Sequence, residues 1–340
     1  MKIEKSNTIG LGRFIACILV IFSHAFPLST GDGRDLLWNI TGCKLSFGGL
    51  AVSYFLFFSG FLVTKSLLYD TDLLSFSLKR IKRIFPPLIF VVCVSAFVLG
   101  PLVTQLDLSE YYRDSDTYLY TLNGICILVH DLPGVFENNI YGTTVNGALW
   151  TMPVEVLCYI ACMIGYKLRL LDKKRFGIIS VIALIAWCTL SFLNTEYNSI
   201  ALAFLMYCMG ILAYLFFDQV ILRSWIAAIL AILLVLCVKT PLFYTVYAIA
   251  FPYIMIWIVW GIKLKIPGKL GNLGELSYAT YLCGFPIQQT VVFLCGGEMD
   301  PIINFLVSCP LAIITGFVIH IYIERPFIKI DDSGNGNNNK

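Results

Sequence analysis

Ile9-Gly-Leu-Gly-Arg13-Phe-Ile-Ala-Cys17-Ile-Leu-Val-Ile-Phe22-Ser-His24-Ala-Phe-Pro-Leu28 holds one arginine, one histidine and no other ionisable side chain besides Cys17. A helix needs about 20 mostly apolar residues to cross a bilayer, and this run supplies them. Lys2 and Lys5 precede it, as basic residues precede the core of a signal peptide. The run is long enough to span, however, and no small-x-small cleavage site comes after it, so it reads as an uncleaved first transmembrane helix.

The rest of the chain has the same character. Of its 340 residues 58% are hydrophobic and 13% charged, with mean hydropathy +0.81. A soluble domain would carry roughly a quarter charged residues. The shortage runs along the whole length, which predicts one membrane domain over 1–330 and a Gly/Asn-rich, disordered tail over 331–340. A net charge of +3 gives no reason to expect a nucleic-acid partner. Most of the twelve cysteines lie inside apolar runs, as small buried hydrophobes do. With no CxxC pair, no metal site is expected.

Ten segments qualify as spans: 9–28, 47–68, 84–104, 147–166, 177–193, 199–217, 224–238, 243–262, 273–295 and 302–322. The apolar stretch 119–129 is too short to cross and reads as interfacial or re-entrant. An even number of spans puts both termini on one side. With that side cytoplasmic, 20 of the 24 Lys and Arg fall inside, and only Arg34, Lys44, Arg113 and Lys239 fall outside. Such asymmetry is what the positive-inside rule demands. The expectation is an all-α, polytopic transmembrane helix bundle of about ten spans with both termini cytoplasmic.

An ionised group near the bilayer centre costs roughly 2.5–3.5 kcal/mol on insertion scales, so each one inside a span needs a reason. Arg13 and His24 are eleven residues apart, three full turns plus about 20°, so they share one helix face about 16 Å apart along the axis. That face would link the two sides of the membrane. Arg13 snorkelling to inner headgroups and His24 resting at the interface would fit equally. Glu155 lies early in the fourth span and calls for a partner, with His24 and Arg13 the natural candidates, unless it faces a wet vestibule. Arg80 and Arg83, with Lys82 between them, precede Pro86-Pro87; at i, i+3 they share a face and can clamp phosphate, or they form an inner positive flank. His320 and Glu324 make a local pair at a helix end, and His130 has no assigned role. The outer connection 105–146 is acidic and rich in tyrosine. It could hold a sugar by stacking and hydroxyl hydrogen bonds, or be a solvated loop with an amphipathic piece.

Six short elements in order give the chain a resemblance to the acyltransferase-3 family of integral membrane acyltransferases. They are the first run from Ile9 to His24; Tyr54-Phe-Leu-Phe-Phe-Ser59-Gly60-Phe61-Leu-Val-Thr64; Arg80-Ile-Lys82-Arg83-Ile-Phe-Pro86-Pro87; Leu149-Trp150 through Glu155; Gly274 through Pro286; and Ile323-Glu324-Arg325-Pro326-Phe327. The resemblance implies transfer of an acetyl group from cytoplasmic acetyl-CoA to a hydroxyl of a cell-envelope or exported glycan, free or lipid-linked, in a bacterial cytoplasmic (inner) membrane. It implies His24 as general base or transient acyl carrier, Glu155 as the group that orients it, and Arg13 as a stabiliser of developing negative charge. Arg80, Arg83 and Lys82 would hold the donor's phosphates. Membrane lipid is the surrounding partner, and oligomeric state is not legible. Two positions depart from the family pattern: Gly10, where Asp is frequent, and Gly284, where His is frequent. A transporter, or a glycan exporter or flippase without acyl-transfer chemistry, is the rival class, since intramembrane Arg, His and Glu also suit a proton-coupled carrier. No inverted repeat or paired broken helices support it.

Overall fold

The computed structural model describes residues 6–69, 72–193, 198–262 and 264–328. Lys2, Lys5, Lys263, Lys329, Lys340 and the tail 331–340 of the sequence reading lie outside the described residues. Among the described residues all regular structure is helical, and β pairing is limited to two isolated bridges, Thr104 with Val135 and Asp131 with Thr144.

Ten helices of 14 residues or more carry the fold: α1 (Asn7–Thr30), α2 (Phe47–Tyr69), α3 (Leu73–Val94), α4 (Thr151–Lys167), α5 (Lys173–Leu193), α6 (Asn198–Leu215), α7 (Ser224–Cys237), α8 (Phe243–Ile256), α9 (Ser277–Leu294) and α10 (Pro301–Ile319). Each of the ten expected spans falls on one of them. Six segments are long and apolar enough to cross a bilayer on those grounds alone: Asn7–Thr30, Phe47–Tyr69, Leu73–Val103, Gly147–Lys167, Phe243–Gly261 and Pro301–Ile328. The protein is therefore integral to a membrane. Of the other four helices, α7 and α9 fall short for local reasons. The 14 residues of α7 rise about 21 Å against a hydrocarbon core of about 30 Å. Helix α9 is polar within its length, and Ser277, Thr280, Gln288 and Gln289 are buried in protein.

The chain divides into two compact units. The first comprises 1–16, 35–73 and 154–274, and the second 17–34, 74–153 and 275–340. In the first, α2 and α6 cross at glycines. A Cβ on Gly60 would collide with the Tyr207 carbonyl, and one on Gly210 with the Phe57 carbonyl. With lipid on the outside, helices gain by close backbone approach of this kind rather than by hydrophobic sorting. The crossing buries Phe57, Phe58 and Phe61, whose rings meet Phe251, Tyr214, Phe217 and Trp260 edge-on or tilted. Trp187 of α5 donates its indole N–H to the Tyr244 carbonyl of α8 at 3.2 Å.

In the second unit, α3 contains Pro86 and Pro87, continues through a π turn at Ser95–Leu99, and ends with Gly100–Val103. Helices α9 and α10 pack closely: a Cβ on Gly316 would collide with Thr280, and the Cys283 thiol lies 3.5 Å from the Ala312 carbonyl. The segment 119–129, expected to be interfacial, forms a 3-10 turn, Tyr120–Ile125, that follows the short helix Ser115–Leu119. Tyr111 and Tyr120 of the connection are wholly buried, and Tyr111 donates to the Ala96 carbonyl at 2.7 Å. These two tyrosines build the connection and present no face to a ligand.

Candidate functional site

His24 lies on the part of α1 in the second unit. Its imidazole meets the Phe285 ring edge-on, centroids 5.3 Å apart at 75°. Phe285 is buried on α9 and in turn meets Tyr141 edge-on at 5.9 Å. Gly147, at the start of the 3-10 turn Gly147–Trp150 ahead of α4, leaves room for the Phe285 ring; a Cβ there would come within 2.9 Å of it. One turn past Phe285, the amide nitrogen of Gln288 donates to the Ile21 carbonyl at 2.8 Å. Ile21 is one turn before His24 on α1. The Gln288 side-chain oxygen has no hydrogen-bond partner among the described residues, although Gln288 is wholly buried.

The segment 139–146 is tied to the same face of α9. Asn139 donates to both the backbone carbonyl and the side-chain oxygen of Gln289, each at 2.9 Å. Gln289 donates to the Gly142 and Thr144 carbonyls at 3.2 and 2.9 Å. Asn146 donates to the Leu282 carbonyl at 2.9 Å. Partial burial pushes the Tyr141 hydroxyl above its ordinary pKa.

Gly284, at the position where histidine was the family expectation, packs on α1. A Cβ there would stand 3.0 Å from Ile21 Cγ1. Ile21 occupies the space a larger residue would need. The other departure has the same kind of cause. In the first unit Gly10 meets backbone, because a Cβ would collide with the Gly271 carbonyl, and Gly274 presses back on Gly10.

Arg80, Lys82 and Arg83 all lie on α3 in the second unit, one turn before Pro86-Pro87. The Arg80 guanidinium sits 5.2 Å from the centroid of the buried Phe76 ring. Tyr278 of α9 donates to the Ile84 carbonyl at 2.8 Å, fixing α9 to this part of α3. His320 and Glu324 pair at 2.9 Å in a π turn that ends α10, with a Glu275 carboxylate oxygen 3.8 Å from the other ring nitrogen.

Arg13 and Glu155 belong to the first unit. Glu155 accepts from the Tyr159 hydroxyl one turn along α4 and from Ser59 Oγ at 3.4 Å, and Ser59 is also 3.3 Å from the Tyr159 hydroxyl. Among the described residues the hydrogen bonds that reach this carboxylate come from these two hydroxyls. Arg13 lies within electrostatic reach of Tyr54, whose hydroxyl donates to the Ile9 carbonyl at 3.1 Å. Sequence reasoning passed over Tyr159, although its i+4 spacing from Glu155 signals a shared helix face. It quoted Ser59 within a motif and gave it no role. Phe285 and Gln288 carried no signal of their own.

A family model described as an acyltransferase domain matches residues 7–321. An O-acetyl transferase of Shigella phage Sf6 is 26% identical over 307 residues, covering 85% of this chain and 86% of that protein. Nodulation protein 10 of Rhizobium leguminosarum bv. viciae is 30% identical over 248 residues, 66% of each chain. No solved structure matches.

Proposed function

The chain belongs to the acyltransferase-3 family and is a membrane acyltransferase, and from that premise we propose that it moves an acetyl group from acetyl-CoA to a hydroxyl of a cell-envelope or exported glycan. The observation that carries the reading is the match from the first long helix into the last, 7–321, joined by a relative named for O-acetyl transfer. Ten spans with both termini in the cytoplasm of a bacterial inner membrane complete the reading, supported by the 20-to-4 partition of Lys and Arg. The domain runs over 1–330.

The chemistry needs a base for the acceptor hydroxyl and a cationic mouth for the donor. His24 takes the hydroxyl proton as the oxygen attacks the thioester carbonyl, and the coenzyme leaves as its thiol. His24 could alternatively carry the acyl group for one step. Arg80, with Arg83 and Lys82, suits the phosphates of the donor: two guanidiniums on one face make bidentate contacts, and the Phe76 ring holds the first of them. Arg13 and Glu155 remain the ionisable candidates of the first unit, for stabilising developing charge and for orientation.

Envelope glycan from wild type, a deletion and a deletion carrying His24→Ala tests the assignment, read by proton NMR and by mass shift on mild ester hydrolysis. Acetyl should be lost in the deletion, restored by wild type and not by His24→Ala, with equal protein in the membrane. Ester content unchanged across all strains would sink acyl transfer to the envelope and turn attention to transport. Full restoration by His24→Ala would remove that residue from the chemistry.

A further inference from the structure

The segment 139–146 has no regular helix or strand, yet five side-chain hydrogen bonds fasten it to α9. The amides that make them, on Asn139, Asn146 and Gln289, are buried. Irregular backbone is ordinarily mobile and variable, and a buried polar clasp of this density fixes it in one shape. The clasp presents Tyr141, which remains 40% exposed while its ring meets Phe285. The same Phe285 ring meets the His24 imidazole, so one ring touches both the exposed tip of the connection and the proposed base. The other tyrosines behave differently. Tyr111 and Tyr120 are wholly buried, and the exposed Tyr112 and Tyr118 associate with Phe97 at the end of α3. One turn from Phe285, the buried Gln288 oxygen lacks a donor among the described residues.

We propose that Tyr141, with Phe285 behind it, is the platform on which a pyranose ring of the acceptor stacks, so that one hydroxyl of the sugar is delivered to His24. This rests on the glycan-acceptor reading above and names the site it left open. A pyranose has an apolar face of C–H groups and a rim of hydroxyls. The apolar face matches an exposed aromatic ring in a rigid setting, which costs little ordering entropy on binding. The rim needs acceptors, and a His24 imidazole nitrogen supplies one.

The test uses the full-length protein in lipid nanodiscs with methyl glucoside, galactoside, mannoside and rhamnoside as probes. Binding is read by saturation-transfer NMR, and transfer from acetyl-CoA by product mass. Tyr141→Ala should weaken binding of the sugar that wild type prefers and raise its KM about tenfold, the size of one aromatic contact, with kcat and the KM for donor within about twofold. Tyr141→Trp should bind as wild type does, and Tyr118→Ala should match wild type throughout. An unchanged KM in Tyr141→Ala, or equal damage from Trp and Ala, overturns the proposal, as does the absence of binding of every probe to wild type. Sugar binding that depends on Tyr141, without transfer by wild type, would sustain the platform and refute acyl transfer instead.

Discussion

At the scale of single residues, Glu155 poses the sharpest question, because its carboxylate is both a hydrogen-bond hub and a candidate for chemistry. Tyr159→Phe and Ser59→Ala each remove one donor from it. Each should lower stability by about 1–3 kcal/mol, the range for a charge-assisted bond in a part-buried place. Glu155→Gln keeps the shape and an acceptor oxygen. If the carboxylate serves the reaction, Glu155→Gln should melt within a few degrees of wild type in detergent and lose transfer by at least tenfold. A parallel loss of both properties would make Glu155 a structural anchor only. Gly284→His is the complementary case. Ile21 stands where the new side chain must go, so overpacking of about 1–3 kcal/mol is expected, read as a lower melting temperature with reduced transfer. A variant as stable as wild type and more active would show that the site has room for a second histidine. His24 and Glu155 were legible in the sequence because ionisable groups inside apolar runs are costly and therefore conspicuous. Ser59, Tyr159, Phe285 and Gln288 were not, since none is unusual in a membrane helix and each acquires its role from a neighbour on another helix or another turn.

At the scale of elements, the apolar runs were readable because burial in lipid imposes a length, and each run corresponds to a helix. What the runs do not encode is how helices meet. The crossing of α2 and α6 depends on Gly60 and Gly210, where each glycine faces a carbonyl of the other helix. Gly210→Leu should push the two helices apart, strip Phe57 and Phe61 of their packing, and leave little folded protein in a fluorescence-detected size-exclusion profile. Gly165→Ala on α4 is the control, since its Cβ would meet only Leu171 at an ordinary 3.5 Å and alanine favours the helix. A monodisperse Gly210→Leu protein with wild-type melting would mean that the crossing has slack. The π turns at Ser95–Leu99, Trp257–Gly261 and His320–Glu324 had no sequence signature either. Each inserts one residue into a helical turn and re-aims the side chains beyond it, a device often found near functional sites. Helix α9 shows the limit of hydropathy most clearly. Its buried Ser, Thr, Tyr and Gln side chains make it a poor span by composition, while its Tyr and Gln side chains make the contacts with Ile21, Ile84 and segment 139–146.

At the scale of the whole molecule, orientation decides whether the chemistry is feasible. Under the proposed reading the donor is cytoplasmic acetyl-CoA, so Arg80, Lys82 and Arg83 would have to face that side and the connection 105–146 the acceptor. The charge partition supplies the argument: placing 20 basic residues outside and four inside would run against the rule that sets the topology of most multispanning proteins. Fusions make the prediction measurable. Green fluorescent protein joined after Lys340 should fluoresce, because it folds in the cytoplasm. Alkaline phosphatase inserted after Asp114 should be active, because it needs the oxidising outer compartment. A single cysteine at 114, in a chain whose native cysteines are replaced, should react with a membrane-impermeant maleimide in intact cells, and one at 174 only after lysis. The reverse pattern would put the Arg80 cluster outside, away from any coenzyme A, and the proposed donor would fall with it. A mixed pattern, with both reporters outside, would make the number of spans between residues 114 and 340 even and leave the Arg80 cluster, and so the donor side, in the cytoplasm. The same two reporters therefore separate an error in counting helices, which the chemistry survives, from an error in orienting them, which it does not.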